Sequence, residues 1–177
     1  MRPNIIRPHF KKGMKETKKI YVDNLEREVK DIKEDIINDC LKTKMNADYN
    51  FQIFTKHHDK LYSLFIKRCE KNLKKFNIIH IPTKLWSYFT DKDYHEGYTW
   101  HNHIKTCTIC GVLYLETVKD CGIEFEHDNK ISYIEPKNYD LLIFPGFLNH
   151  RPIVSKDKKR VSINFEITCH ESSNEIF

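Results

Sequence analysis

A chain of 177 residues, 40% of them hydrophobic, suits one domain that buries its own core, so no disulfide staple is needed for stability. The formal net charge of +5 is spread along the chain and points to no nucleic-acid groove. Six cysteines are too sparse for a disulfide scaffold, no apolar run approaches roughly eighteen residues, and no charged-then-apolar leader opens the chain, so the expectation is a soluble, reduced, cytoplasmic protein with no membrane segment.

Residues 1–20 are basic, carry Pro3, Pro8 and Gly13, and show no period, which reads as an arm ahead of a single domain over 21–177. From Val22, apolar residues at Val22, Leu25, Val29, Ile32, Ile36, Cys40 and Leu41 follow a three-four spacing, the mark of one helical stripe, with Asp23 and Glu26 placed to cap its start. A second stripe runs through Leu61, Leu64, Phe65, Cys69, Leu73 and Phe76. After Asn77 the texture changes to short apolar segments, "IIHIP", "KLWSYF", "TICGVLYLE", "GIEFE", "ISYI", "DLLIFP" and "RVSINFEI", separated by turn-like stretches such as "EPKN" and "SKDKK". Seven or eight strands without intervening helices predict an antiparallel sandwich or barrel, mainly β, with the 22–77 helices covering one apolar face of a 78–168 core.

Three of the ten histidines attract attention. In an extended segment, residues two apart point to the same face, so His101 and His103 can offer both rings to one ion. His150 follows "DLLIFPG", a buried strand and a turn, from where a loop can return a third ligand to the mouth of a sandwich. Arg160 and Ser162 then share a face of the last strand, a cation and a hydroxyl suited to a carboxylate. Three ligands on one side of an octahedron, plus an anion site, is the pattern of oxygen-activating iron(II).

These segments, "HNHIKTCTICGVLYLE", "NYDLLIFPGFLNHRPIV" and "KRVSINFEI", resemble the 2-oxoglutarate- and iron(II)-dependent oxygenases, in particular small members from phages and bacteria, over about Trp86 to Ile167. The resemblance implies a double-stranded β-helix, or jelly roll, with helices on one outer face. It implies that His101 and His150 ligate iron(II), that Arg160 and Ser162 bind the distal carboxylate of 2-oxoglutarate, and that Tyr114 adds a hydroxyl. The activity implied is hydroxylation of a prime substrate with release of succinate and carbon dioxide; a peptidyl side chain, a small molecule and a nucleobase are all open. The broader superfamily has an acidic residue where this chain has His103, which either completes a three-histidine set or leaves its place to water.

Three other readings stand beside this one. A structural zinc through His101, His103, Cys107 and Cys110 is opposed by strand parity, because an extended "TCTICGVLYL" turns Cys107 and Cys110 to opposite faces. A three-histidine cupin-type dioxygenase shares the histidine pattern, and the Arg160–Ser162 strand favours 2-oxoglutarate over it. A non-catalytic jelly roll that binds a partner is kept open by His103. The aromatics Trp86, Tyr88, Tyr94, Tyr98 and Trp100 read as core and rim residues.

Overall fold

The structure, a computed structural model, describes residues 20–44, 50–72, 86–90, 99–105, 107, 109–153 and 160–167, with backbone alone at 44, 50–51 and 86–90. Strand β1 (Tyr21–Asn24) leads through α1 (Glu26–Val29) and a 3-10 turn (Lys30–Ile32) into α2 (Lys33–Lys44). Then come β2 (Asn50–Gln52), α3 (His58–Asn72), β3 (Trp86–Thr90), β4 (Ile109–Glu116), β5 (Gly122–His127), β6 (Lys130–Ile134), β7 (Asp140–Pro145), β8 (Asn149–Ile153) and β9 (Arg160–Ile167). The basic arm up to residue 19, the "IIHIP" segment, Leu73, Phe76, Tyr94, Tyr98 and "SKDKK" lie outside the described residues.

All described strand pairs are antiparallel. A large sheet has the order β1-β7-β4-β9-β3-β2, and a small one β6-β5-β8. The runs "ICGVLYL" and "LLIF" are continuously apolar because β4 and β7 are buried on both faces. Alternate residues divide between two cores. Ile109, Leu113 and Leu115 of β4, Leu141 and Ile143 of β7, and Val161, Ile163, Phe165 and Ile167 of β9 pack with the helices. Cys110, Val112, Tyr114, Leu142 and Phe144 face the other way and pack with Ile123 and Phe125 of the small sheet.

The helical layer follows its sequence stripes in part. Leu61, Phe65 and Cys69, four apart on α3, are buried with Tyr62, and the Phe65 ring stacks on Phe165 at 4.7 Å. Val29, Ile36, Ile37 and Cys40 bury the other helices. The start of the first stripe differs from expectation: Tyr21–Asn24 is a strand, held in register against β7, and Val22 is 54% exposed. Pairing with an open sheet edge satisfies this backbone better than one more helical turn, and it takes Asp23 away from any capping role. Asn24 Oδ1 instead accepts from the Glu26 N–H at 3.0 Å, and Asp23 pairs with Arg68 Nε of α3 at 2.7 Å. The stripe also loses Leu41, 38% exposed, because the 3-10 turn resets the helical phase between α1 and α2.

Two further strands escape sequence reading because they are short or contain proline. β2 has three residues. β8 carries Pro152, which is tolerated because β8 is the edge of the small sheet. His150 therefore sits on a strand, not in a loop, paired opposite Phe125.

Gly111 marks the closest approach of α3 to the sheet, since a Cβ there would overlap the Phe65 ring. Gly111→Ala is expected to cost about 1–3 kcal/mol of stability, measured by urea unfolding; an unchanged midpoint would show that α3 is not packed this tightly.

Candidate active site

Strand β9 presents a row of polar residues to the space between the sheets. Its outer positions are apolar, while Arg160, Ser162, Asn164 and Glu166 alternate on the inner face. In register, Tyr114 lies opposite Ser162, Val112 opposite Asn164, and Cys110 opposite both Glu166 and Phe144. Ser162 and Glu166, four residues apart, are separated by about 13 Å of strand. This wall thus carries two polar ends with Val112, Leu142 and Asn164 between them, and Ile123 and Phe125 pack against it from the small sheet.

At the Glu166 end the three histidines meet. His101 and His150 form an isolated antiparallel bridge, N–H to O at 3.1 and 2.9 Å in the two directions. Ring centroids are 4.3 Å apart for His101 and His150, 5.2 Å for His103 and His150, and 5.3 Å for His101 and His103. One nitrogen of each ring lies within 4.8 Å of the others. The expected extended HxH is realised only at His101. His103 precedes a turn, and its N–H donates to the Gly146 carbonyl at 2.6 Å.

Each ring is held by its Nδ1. That of His101 donates to the Thr99 carbonyl at 3.0 Å and that of His150 to the Leu148 carbonyl at 2.8 Å. A carbonyl accepts only from N–H, so in a neutral ring so held the lone pair lies on Nε2. His103 Nδ1 lies 2.9 Å from Glu166 Oε1. Burial against Phe144 and Phe125, with the other two imidazoles nearby, pushes the His150 pKa down to about 3, so this ring is neutral at physiological pH.

At the other end Arg160 is 2% exposed. Its guanidinium lies 4.9 Å from the Tyr114 ring, with Nη2 3.5 Å from the Tyr114 hydroxyl and Nη1 3.4 Å from the Gly122 carbonyl of the facing sheet. Both contacts are at the long limit of hydrogen bonding and reach neutral oxygens. Ser162 is fully buried beside them, and burial raises the Tyr114 pKa, so its hydroxyl stays protonated as a donor.

Two features of the site depart from or add to the sequence reading. Cys107 and Cys110 do not face opposite ways: their sulfurs are 3.3 Å apart. The parity argument fails because β4 begins only at Ile109, and the Cys107 N–H closes a turn onto the His103 carbonyl at 2.9 Å. The zinc set of four also divides, for His101, His103 and His150 form one group and His103, Cys107 and Cys110 another. The added residue is Glu166, which the alternation of "RVSINFEI" places on the Arg160 face but which nothing local connects to His103. Of the aromatics, Trp100 stacks on Arg151 at 4.7 Å, and Arg151 pairs with Glu124 at 2.7 Å; the side chains of Trp86 and Tyr88 lie outside the described residues.

No protein-family model matches the sequence, and no curated protein matches it. Solved structures do. A Pseudomonas putida prolyl-4-hydroxylase aligns with a TM-score of 0.63 over 91% of this chain and 97% of that one, at 10% identity. A Trichoplax adhaerens prolyl hydroxylase, in complex with a hypoxia inducible factor oxygen degradation domain peptide fragment, aligns with a TM-score of 0.63 over 89% and 86%, at 14% identity. A 2-oxoglutarate–iron(II) oxygenase family oxidoreductase from Burkholderia pseudomallei aligns with a TM-score of 0.54 over 70% and 62%, at 10% identity. The two packed antiparallel sheets of this chain therefore form a jelly roll, the fold it shares with these three structures, with the helices on one outer face.

Proposed function

We propose that this chain is an iron(II)- and 2-oxoglutarate-dependent dioxygenase that hydroxylates an organic substrate and releases succinate and carbon dioxide. The observation that carries the reading is the pairing of two unlike groups between the same two sheets: three convergent imidazoles at one end and a buried guanidinium with two hydroxyls at the other. A metal site alone needs no buried arginine, and an anion site alone needs no histidine cluster. A three-histidine cupin-type enzyme would use the first end and leave the second idle.

The donor set fits iron(II). Imidazole nitrogen suits the ion, the Nδ1 contacts of His101 and His150 leave Nε2 as the ligand atom, and His150 needs no deprotonation. His101, His103 and His150, with one ring nitrogen each within 4.8 Å of the others, would hold the ion. When bound, iron(II) supplies the dioxygen chemistry that oxidises both 2-oxoglutarate and the substrate. The protein supplies position and environment. Thr99, Leu148 and Glu166 hold the three rings, and Glu166 returns beside the site the negative charge that His103 does not bring. Arg160, Tyr114 and Ser162 receive the distal carboxylate, where a charge-assisted pair replaces long contacts to neutral oxygens. Leu142, Phe125 and Phe144 exclude water from the space between. Two of the similar structures are prolyl hydroxylases and one of them holds a peptide, so a peptidyl side chain is the prime-substrate class to test first.

Anaerobic calorimetry with manganese(II) as a redox-quiet stand-in, followed by 2-oxoglutarate, checks the two ends separately. His150→Ala is expected to abolish both binding events, whereas Arg160→Ala keeps the metal and loses about 2–5 kcal/mol of co-substrate binding. Co-substrate affinity untouched by Arg160→Ala would refute the role given to that end. Glu166→Gln is expected to weaken metal binding about 10–100-fold, and an unaltered affinity would detach Glu166 from the site.

Burial of neutral His150 also sets a pH dependence for the metal-free protein. The unfolded chain binds a proton at this residue below about pH 6.5, while the folded chain resists it down to about pH 3. Stability from this source is therefore complete above pH 6.5 and falls, by a few kcal/mol in all, as the pH drops towards 3. Denaturation curves of wild type and His150→Gln should diverge in slope across that window; parallel curves would show that His150 takes up its proton without unfolding.

A further inference from the structure

The turn leading into β4 builds a second donor cluster that dioxygen chemistry does not use. Cys107 and Cys110, 6% and 3% exposed, hold their sulfurs 3.3 Å apart, and a nitrogen of His103 completes a group whose atoms lie within 4.8 Å of one another. The backbone around them is tightly tied. The His103 N–H is fixed to Gly146, the Cys107 N–H to His103, and Gly146 packs so closely on Cys107 that a Cβ would stand 3.2 Å from its sulfur.

We propose that His103, Cys107 and Cys110 form a binding site for a thiophilic d10 ion, zinc or cadmium, and that its occupation excludes the metal of the three-histidine site. Two thiolates at 2.3 Å from a tetrahedral ion stand about 3.8 Å apart, so the present separation needs only a small opening. Both thiols release their protons to solvent as the metal–sulfur bonds form, and no electron is transferred. Two thiolates balance the ion's two charges, so the bound site is neutral, which suits its burial. Water takes the fourth position. Soft sulfur donors select these ions over iron(II), which prefers the imidazole pole. Exclusion follows from His103: a neutral imidazole has one lone pair to give. The site itself stands without the oxygenase reading, and only the consequence for iron rests on it.

The test uses the full chain, reduced, metal-free and anaerobic, titrated with cadmium. A near-ultraviolet sulfur-to-cadmium charge-transfer band should saturate at one ion per chain, persist in His150→Ala, and vanish in the Cys107→Ala/Cys110→Ala double variant. Bound cadmium should also protect Cys107 and Cys110 of the wild type from alkylation, mapped by mass spectrometry, which needs no variant to fold. In protein preloaded with manganese, cadmium should release the manganese, seen as the free-ion paramagnetic resonance signal, in the wild type but not in the double variant. No band, a band undiminished in the double variant, or alkylation unaffected by cadmium would overturn the site; manganese retained beneath a full band would overturn the exclusion. A cadmium site that behaves as expected in a chain with no His150-dependent manganese and 2-oxoglutarate binding would leave this proposal standing and remove the oxygenase reading.

Discussion

Burial on both faces of the three central strands is the constraint on which the molecule turns. β4, β7 and β9 lie side by side between a helical layer and a second sheet, so every residue along them belongs to one core or the other by parity alone. A one-residue slip of β9 would drive Arg160 and Glu166 into the helix-side packing around Phe65, and would turn Val161, Ile163 and Phe165 towards the small sheet. The helix-side core therefore determines where the polar face of β9 points.

That polar face is costly inside a protein, and the two ends meet the cost differently. At one end a permanent cation is sequestered with hydroxyls and a carbonyl, an arrangement that favours an incoming anion. At the other, carbonyls orient His101 and His150, burial holds His150 neutral, and the carboxylate of Glu166 lies against His103. The two polar ends are thus set apart along one face of β9, with Asn164 and Val112 between them.

His103 is where this chain is most individual. It stands between two sets of donors, the other histidines on one side and the thiol pair on the other, with Glu166 on its Nδ1. The resemblance in sequence left open whether His103 joins the cluster; geometrically it belongs to two clusters at once. A carboxylate in that position would not offer the same choice, because hard oxygen donors do not share the preferences of thiolates.

The strands "DLLIFP" and "RVSINFEI" were legible with their bounds, and β4 was legible except for its start, because long apolar or alternating runs declare a buried strand locally, and the α3 stripe was legible for the same reason. Strand pattern singled out His101, His103, His150, Arg160 and Ser162, and the resemblance added Tyr114; the structure brings the three histidines together at one end of β9 and sets Tyr114, Arg160 and Ser162 together at the other. The first turn of helix became β1 because a distant strand edge competes for its backbone, and β8 hid behind Pro152. What the sequence by itself determined was residue type and parity: which side chains face together along one strand. Only the tertiary structure decided which faces meet, bringing Glu166 to His103, Cys107 to Cys110 and Gly122 to Arg160, because those contacts join segments through turns and sheet-to-sheet packing that no local period encodes.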